Sequence, residues 1–176
     1  MAITVTGTLP VIDLPSAYVG QAYQFDGNAA NYVDLSSNSD WNLEAKAFSI
    51  SMWVKLDDIS FVDNYLVSNW KDTISENSLQ YRVQNGSIRV YVSDNGTGGS
   101  FIISGAVMAN DEWAYLSLVM SDTGFLSLYK DADLLVSAQR VTVSGFNNWV
   151  IGSEWAGSNK SLKGSIADLR LDHRAL

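Results

Sequence analysis

The 176-residue sequence predicts an all-β domain: two antiparallel sheets packed as a sandwich of jelly-roll type. Three observations carry this expectation. Ala47–Leu56 runs at period two, one face apolar and the other polar except for Trp53; two candidate hairpins set apolar residues opposite apolar residues; and no segment sustains the 3.6-residue period of a helix. A hydrophobic fraction of 47% gives a chain of this length enough material for one domain with a real core.

Taken in order, the chain begins with a segment that differs from the rest. Both prolines, Pro10 and Pro15, fall in the first fifteen residues, beside Ile3, Val5, Leu9, Val11, Ile12 and Leu14. That apolar content is too high for a disordered tail, yet the prolines remove backbone donors that an inner strand needs. Residues 1–17 are therefore expected to form an N-terminal arm or edge strand, and residues 18–176 the sandwich. Tyr18–Phe25, Asn31–Leu35, Tyr65–Trp70, Phe101–Ser104, Leu134–Ala138, Asn148–Ile151 and Leu162–Leu171 carry β-branched or aromatic residues bounded by turn formers, and read as strands. Ser39–Leu43 suits one helical turn capped by Ser39 or Asp40.

The central strand is Ala47–Leu56. Successive side chains on a strand alternate, so Phe48, Ile50, Met52, Val54 and Leu56 face the core while Ser49, Ser51, Trp53 and Lys55 face away. Asn85-Gly86 is the sequence of a two-residue type I′ turn, and it pairs Val83 with Ile88, Tyr81 with Val90 and Leu79 with Val92. Asp122-Thr123-Gly124 suits a three-residue loop with Gly124 left-handed, pairing Met120 with Leu126 and Leu118 with Leu128. Both registers put apolar side chains on one face.

Composition narrows function. Zero cysteines exclude disulfides and thiol catalysis, and no run of about eighteen apolar residues suggests a membrane-spanning helix. The net charge of −8, with scattered acidic residues, argues against nucleic acid and anionic membranes as partners. The start of the chain lacks the basic and apolar regions of a secretory signal. Sites for N-glycosylation at Asn85, Asn95 and Asn159 read as turn sequence in that setting.

Tyr23-Gln24-Phe25-Asp26-Gly27-Asn28, Tyr32-Val33 and Phe48–Lys55, followed by Glu112-Trp113, Leu128-Tyr129-Lys130-Asp131, Val150-Ile151-Gly152 and Leu162–Leu171, resemble the successive blocks of laminin G-like, concanavalin A-like modules. The resemblance spans residue 18 to the end. It implies a concanavalin A-like lectin or glucanase type of sandwich, whose members mostly bind sugars or proteins or serve as structural modules, and often hold calcium. Two departures stand out: the closing block usually reads Gly-x-Ile-Asp-Asp and here has Ala167 before Asp168, and the turn after the tyrosine strand usually reads Asp-Gly and here reads Asp131-Ala132. For a structural calcium ion the chain offers only Asp26 and Asp168 with neighbouring carbonyls, short of about six to eight oxygen ligands.

Glycoside hydrolases of this fold resemble one another in a Glu-x-Asp-x-Glu strand, whose alternate carboxylates supply acid and nucleophile. That motif is absent here. Asp57-Asp58, Asp131-x-Asp133 and Asp168 with Asp172 read as solvated turn and surface residues, and His173 has no evident serine or cysteine partner. The expectation is a non-enzyme without a cofactor.

The face away from the core is more informative. Trp53, Tyr115, Tyr129 and Phe125, with Tyr91, Arg82 and Arg89, all project from it in these registers. Trp, Tyr and Arg dominate binding energy at interfaces, and aromatic rings stack on sugars. Arg82 and Arg89 fall directly opposite, a like-charge pair that calls for a carboxylate or a ligand between them. Two functions follow. One is a structural and attachment module on a virion surface, a tailed-bacteriophage decoration or tail protein whose residues 1–17 anchor it to other virion proteins or symmetry mates. The other is a free-standing, extracellular carbohydrate-binding module.

Overall fold

The computed structural model describes residues 4–6, 11–13, 21–35, 39–43, 47–61, 63–70, 79–93, 99–138, 148–156 and 158–175. Pro10, Pro15, Ile3, Leu9, Leu14, Tyr18, Ser78 and the loop with Asn95 lie outside these residues. The strands are β1 (Thr4–Thr6), β2 (Val11–Asp13), β3 (Gln21–Asp26), β4 (Tyr32–Asp34), β5 (Phe48–Leu56), β6 (Asn64–Ser68) and β7 (Leu79–Gln84). They continue with β8 (Ser87–Val92), β9 (Ser100–Ala106), β10 (Trp113–Met120), β11 (Leu126–Lys130), β12 (Asp133–Ala138), β13 (Val150–Ile151) and β14 (Lys163–Asp172). Each stretch that the alternation marks carries one of them. The expected helical turn is a single 3-10 turn, Ser39–Trp41.

Two seven-stranded antiparallel sheets form the sandwich. The first runs β1-β4-β13-β6-β7-β8-β9 and the second β12-β11-β10-β5-β14-β3-β2. β5 lies at the middle of the second sheet, between β10 and β14, because a strand with a wholly apolar face is best buried when flanked on both edges. Phe48, Ile50, Met52, Val54 and Leu56 are fully buried, and facing them Leu79, Tyr81, Val83, Ile88 and Val90 of the first sheet are equally so.

Turn chemistry sets the registers. Asn85 and Gly86 both take positive φ, 50° and 73°, and the β7–β8 ladder pairs Leu79 with Val92, Tyr81 with Val90 and Val83 with Ile88. Gly124 has φ 83°, and β10 and β11 pair Leu118 with Leu128 and Met120 with Leu126. At the β11–β12 turn, Asp131 (φ 52°) and Ala132 (φ 72°) take the same left-handed conformation without a glycine. The Asp131 side chain helps hold it by accepting a 2.8 Å hydrogen bond from the Tyr115 amide. Gly152, after β13, has φ 80°, and a Cβ there would sit 2.2 Å from the Phe25 ring, so only glycine lets the two sheets close at this point.

The N-terminal segment supplies an edge strand to each sheet. β1 pairs with β4 (Val5 opposite Val33) and β2 with β3 (Ile12 opposite Ala22), so both strands spend one row of backbone groups on their own domain. At the far side, β9 and β12 pack against one another across the sandwich.

Candidate functional site

The outer face of the second sheet carries the aromatic group expected around Trp53. Trp53 lies opposite Tyr115 on β10 and opposite Ala167 on β14, which in turn faces Ala22 on β3. The Trp53 and Tyr115 rings are 5.3 Å apart and tilted by 56°, both partly exposed. Trp113 follows two residues along β10, opposite Lys55, and Tyr129 stands on β11 opposite Ser117. Phe125 is exposed at the end of this hairpin. Small residues occupy the rows between the rings: Ser51 pairs with Ser117, and the Ser127 and Ser137 hydroxyls hydrogen bond at 2.9 Å. The result is a shelf of tilted rings with hydroxyls beside it, a surface suited to stacking against an apolar face that also carries polar groups.

Arg82, Arg89 and Tyr91 do not belong to that shelf, which corrects the single patch expected from sequence. They lie on β7 and β8 of the first sheet and project from the opposite outer face of the sandwich. Alternation within each hairpin is local, whereas the assignment of hairpins to sheets is not. The register opposes Arg82 to Arg89 as expected, and Arg82 has a carboxylate partner on its other side, where Asp63 Oδ1, just before β6, lies 3.1 Å from Arg82 Nη1. The same nitrogen donates to the Tyr65 hydroxyl at 2.7 Å, with the guanidinium 5.4 Å from the Tyr65 ring centroid. Tyr91 sits edge-on to Trp70, with centroids 4.5 Å apart.

Arg82 thereby joins a buried network that nothing in the sequence announced. Glu154, 3% exposed, comes from the segment after β13 and lies over β6 and β7. Its Oε1 accepts from the Tyr65 hydroxyl (2.9 Å), Gln80 Nε2 (3.1 Å) and Lys160 Nζ (3.0 Å). Ser158 Oγ is 3.4 Å from Oε2. Burial, then the Glu154 charge, push the Tyr65 hydroxyl well above its ordinary range against the opposing pull of Arg82, so it stays a neutral donor. These contacts account for Arg82 as a structural tie.

The carboxylates considered for a metal do not meet. Asp26 Oδ1 accepts from the Asn28 amide (2.8 Å) and Asn31 Nδ2 (3.0 Å), capping the turn at Gly27. Asp168 ion-pairs with Arg170 through Nε–Oδ1 (2.9 Å) and Nη2–Oδ2 (2.7 Å). Asp26 is opposite Lys163, five residues along β14 from Asp168, a separation of roughly 16 Å at strand rise. Asp26 and Asp168 therefore do not fit one calcium site, and among the described residues no group of three or more His, Asp or Glu side chains converges as a metal site would require. Asp58 is held by the Ser60 amide and hydroxyl, the latter hydrogen bond chiefly keeping its carboxyl below the usual range, and it lies 3.7 Å from Lys163. Asp131 belongs to the tight turn described above and pairs with Lys130 at 3.0 Å.

Several solved structures that share this architecture are binding domains by title. The binding domain of Paraclostridial Mosquitocidal Protein 1 matches 99% of this chain with a TM-score of 0.79 at 15% identity. The receptor-binding domain of botulinum neurotoxin C/D mosaic serotype matches 99% at 0.73 and 14%, and that of botulinum neurotoxin type G matches 99% at 0.73 and 12%. The chain spans only 43–44% of the length of these structures, and at such identities they share its fold. No curated protein matches the sequence. A family model described as the concanavalin A-like lectin/glucanases superfamily, of laminin G type, matches residues 26–176. The strands, the sheet order and that match together place the chain in the concanavalin A-like lectin/glucanase superfamily.

Proposed function

We propose that this domain is a non-catalytic recognition module, attaching whatever carries it to a glycan through the outer face of its second sheet. The Trp53–Tyr115 pair, partly exposed and bordered by Trp113, Tyr129 and serine rows, is the observation that carries this reading. Stacking of sugar rings on aromatic faces needs just such rigid side chains, which lose little entropy on binding. The engagement of Asp58, Asp131 and Asp168 in turns and ion pairs supports a binding role over glycosidic chemistry, which needs two carboxylates flanking a bond. The titles of the structural relatives support it as well.

One setting for such a module is the surface of a virion, as a phage decoration or tail protein; the other is outside a cell. In the virion setting, residues 1–17 would meet a partner along the outer edges of β1 and β2, since their inner edges are already paired. A glycan array probed with the full chain tests the ligand. Binding should be seen with the native protein and lost in Trp53→Ala, whose circular dichroism stays that of the native fold. Hits that survive Trp53→Ala would remove this face from consideration, and no hits at high protein concentration would overturn the glycan reading.

A further inference from the structure

A second candidate site lies on the outer face of the first sheet, around Arg89. This residue stands midway along β8, with Arg82 of β7 directly opposite on one side and Ile103 of β9 directly opposite on the other. Like charges that face one another across two strands destabilise a sheet unless something negative offsets them. Within the chain only one of the two arginines is offset. Arg82 meets Asp63 and the Tyr65 hydroxyl, while Glu154, a second carboxylate over this face, is matched by Lys160. Among the described residues no carboxylate pairs with Arg89, and its Nε, like that of Arg82, is buried without an acceptor.

The surroundings of Arg89 select the ligand that would complete it. A guanidinium is a planar fork of donors that fits a carboxylate through two parallel hydrogen bonds, and a half-buried one has given up part of the water that would otherwise satisfy it. Ile103, beside it, is 48% exposed, a large apolar side chain left in solvent. Tyr91, two residues along β8 on the same face, is held edge-on by Trp70 with ring centroids 4.5 Å apart. Gly105, beyond Ile103, is exposed, and a Cβ added there would meet nothing within 4 Å, so β9 is uncovered at that end. The free fork thus lies between two apolar surfaces that solvent reaches. One unmatched guanidinium balances one negative charge, which favours a carboxylate over a doubly charged phosphate on a chain whose net charge is −8.

We propose that the outer face of β7, β8 and β9 binds a small amphiphilic carboxylate, its oxygens on the Arg89 guanidinium and its aromatic or alkyl body against Ile103 and Tyr91. This site is on the opposite side of the sandwich from the Trp53 shelf and stands or falls separately. Matched probes test it on the full chain: 4-phenylbutyrate and 4-phenylbutylamine share a body and differ in the sign of the charge, acetate carries the charge without the body, and inorganic phosphate carries more charge. Titrated against isotope-labelled protein, 4-phenylbutyrate should shift the Arg89 Nε–H and Ile103 methyl signals, and bind about tenfold or more tighter than each of the other three. Arg89→Gln removes one of two facing like charges, so it should keep the fold, and it should erase the preference for the carboxylate over the amine. Arg89→Lys keeps the charge without the fork and should weaken 4-phenylbutyrate while preserving its lead over the amine. The proposal is overturned if 4-phenylbutyrate leaves Arg89 unshifted, if the amine, acetate or phosphate binds as tightly, or if the preference persists in a folded Arg89→Gln. Binding unchanged in Ile103→Ser would overturn it too.

Discussion

Replacing Glu154 by alanine tests whether the buried network on the first sheet holds the segment after β13 in place. The substitution removes the acceptor shared by the Tyr65 hydroxyl, Gln80 Nε2 and Lys160 Nζ. These three donors differ in what they lose. Lys160 is 44% exposed on its side chain and can turn into water, so its ion pair contributes at most about 1 kcal/mol. Tyr65 and Gln80, fully and 95% buried, have no such escape, and a buried donor left unpaired costs about 1–3 kcal/mol. Because the groups share one network the costs do not simply add, and the expected loss is about 2–4 kcal/mol. For a chain of this length that corresponds to a drop in Tm of roughly 5–15 °C. Urea unfolding followed by tryptophan fluorescence should show a lower midpoint with an unchanged slope. Glu154→Gln keeps an acceptor oxygen for Tyr65 and Gln80 and should lose only about 1 kcal/mol. A loss below about 1 kcal/mol in Glu154→Ala, or equal losses in the two variants, would refute this account of the network.

Two further substitutions probe the backbone and the core. Ala132→Gly should stabilise the domain by about 0.5–1 kcal/mol: relief of a left-handed L-residue, about 1–2 kcal/mol, outweighs the extra unfolded-state entropy of glycine, about 0.4–1 kcal/mol. A lower urea midpoint in this variant would contradict the left-handed turn. The Tyr81 hydroxyl is buried in the core with no hydrogen-bond partner among the described residues, so Tyr81→Phe should raise stability by about 1 kcal/mol. Burial also pushes the Tyr81 hydroxyl well above its ordinary range, and burial, then the Glu154 charge, do the same to Tyr65. The folded state thus holds these protons more tightly than the unfolded chain, so their stability is fully present below about pH 10 and lost above it. By pH 11 each should cost roughly 1.4 kcal/mol, and Tyr81→Phe should halve the combined decline; stability that stays flat to pH 11 would contradict both burials.

The sequence alone determined what depends on neighbouring residues. Alternation in Phe48–Leu56 fixes which side chains face the core wherever the strand is placed, and Asn85-Gly86 and Asp122-Thr123-Gly124 dictate their registers through the φ angles those residues accept. Pro10 and Pro15 likewise restrict the first segment to an edge, whichever sheet receives it. Only the tertiary structure decided which sheet each hairpin joins. That choice separates Arg82, Arg89 and Tyr91 from Trp53, Tyr115 and Tyr129, although every one of these residues points away from the core as alternation requires. It also sets Asp26 far from Asp168 and brings Glu154 to Tyr65 and Gln80 from 89 and 74 positions away. Strand periodicity states the face a residue takes, whereas contacts between strands distant in sequence follow from how whole sheets bury their apolar faces together, a condition that no short stretch of residues records.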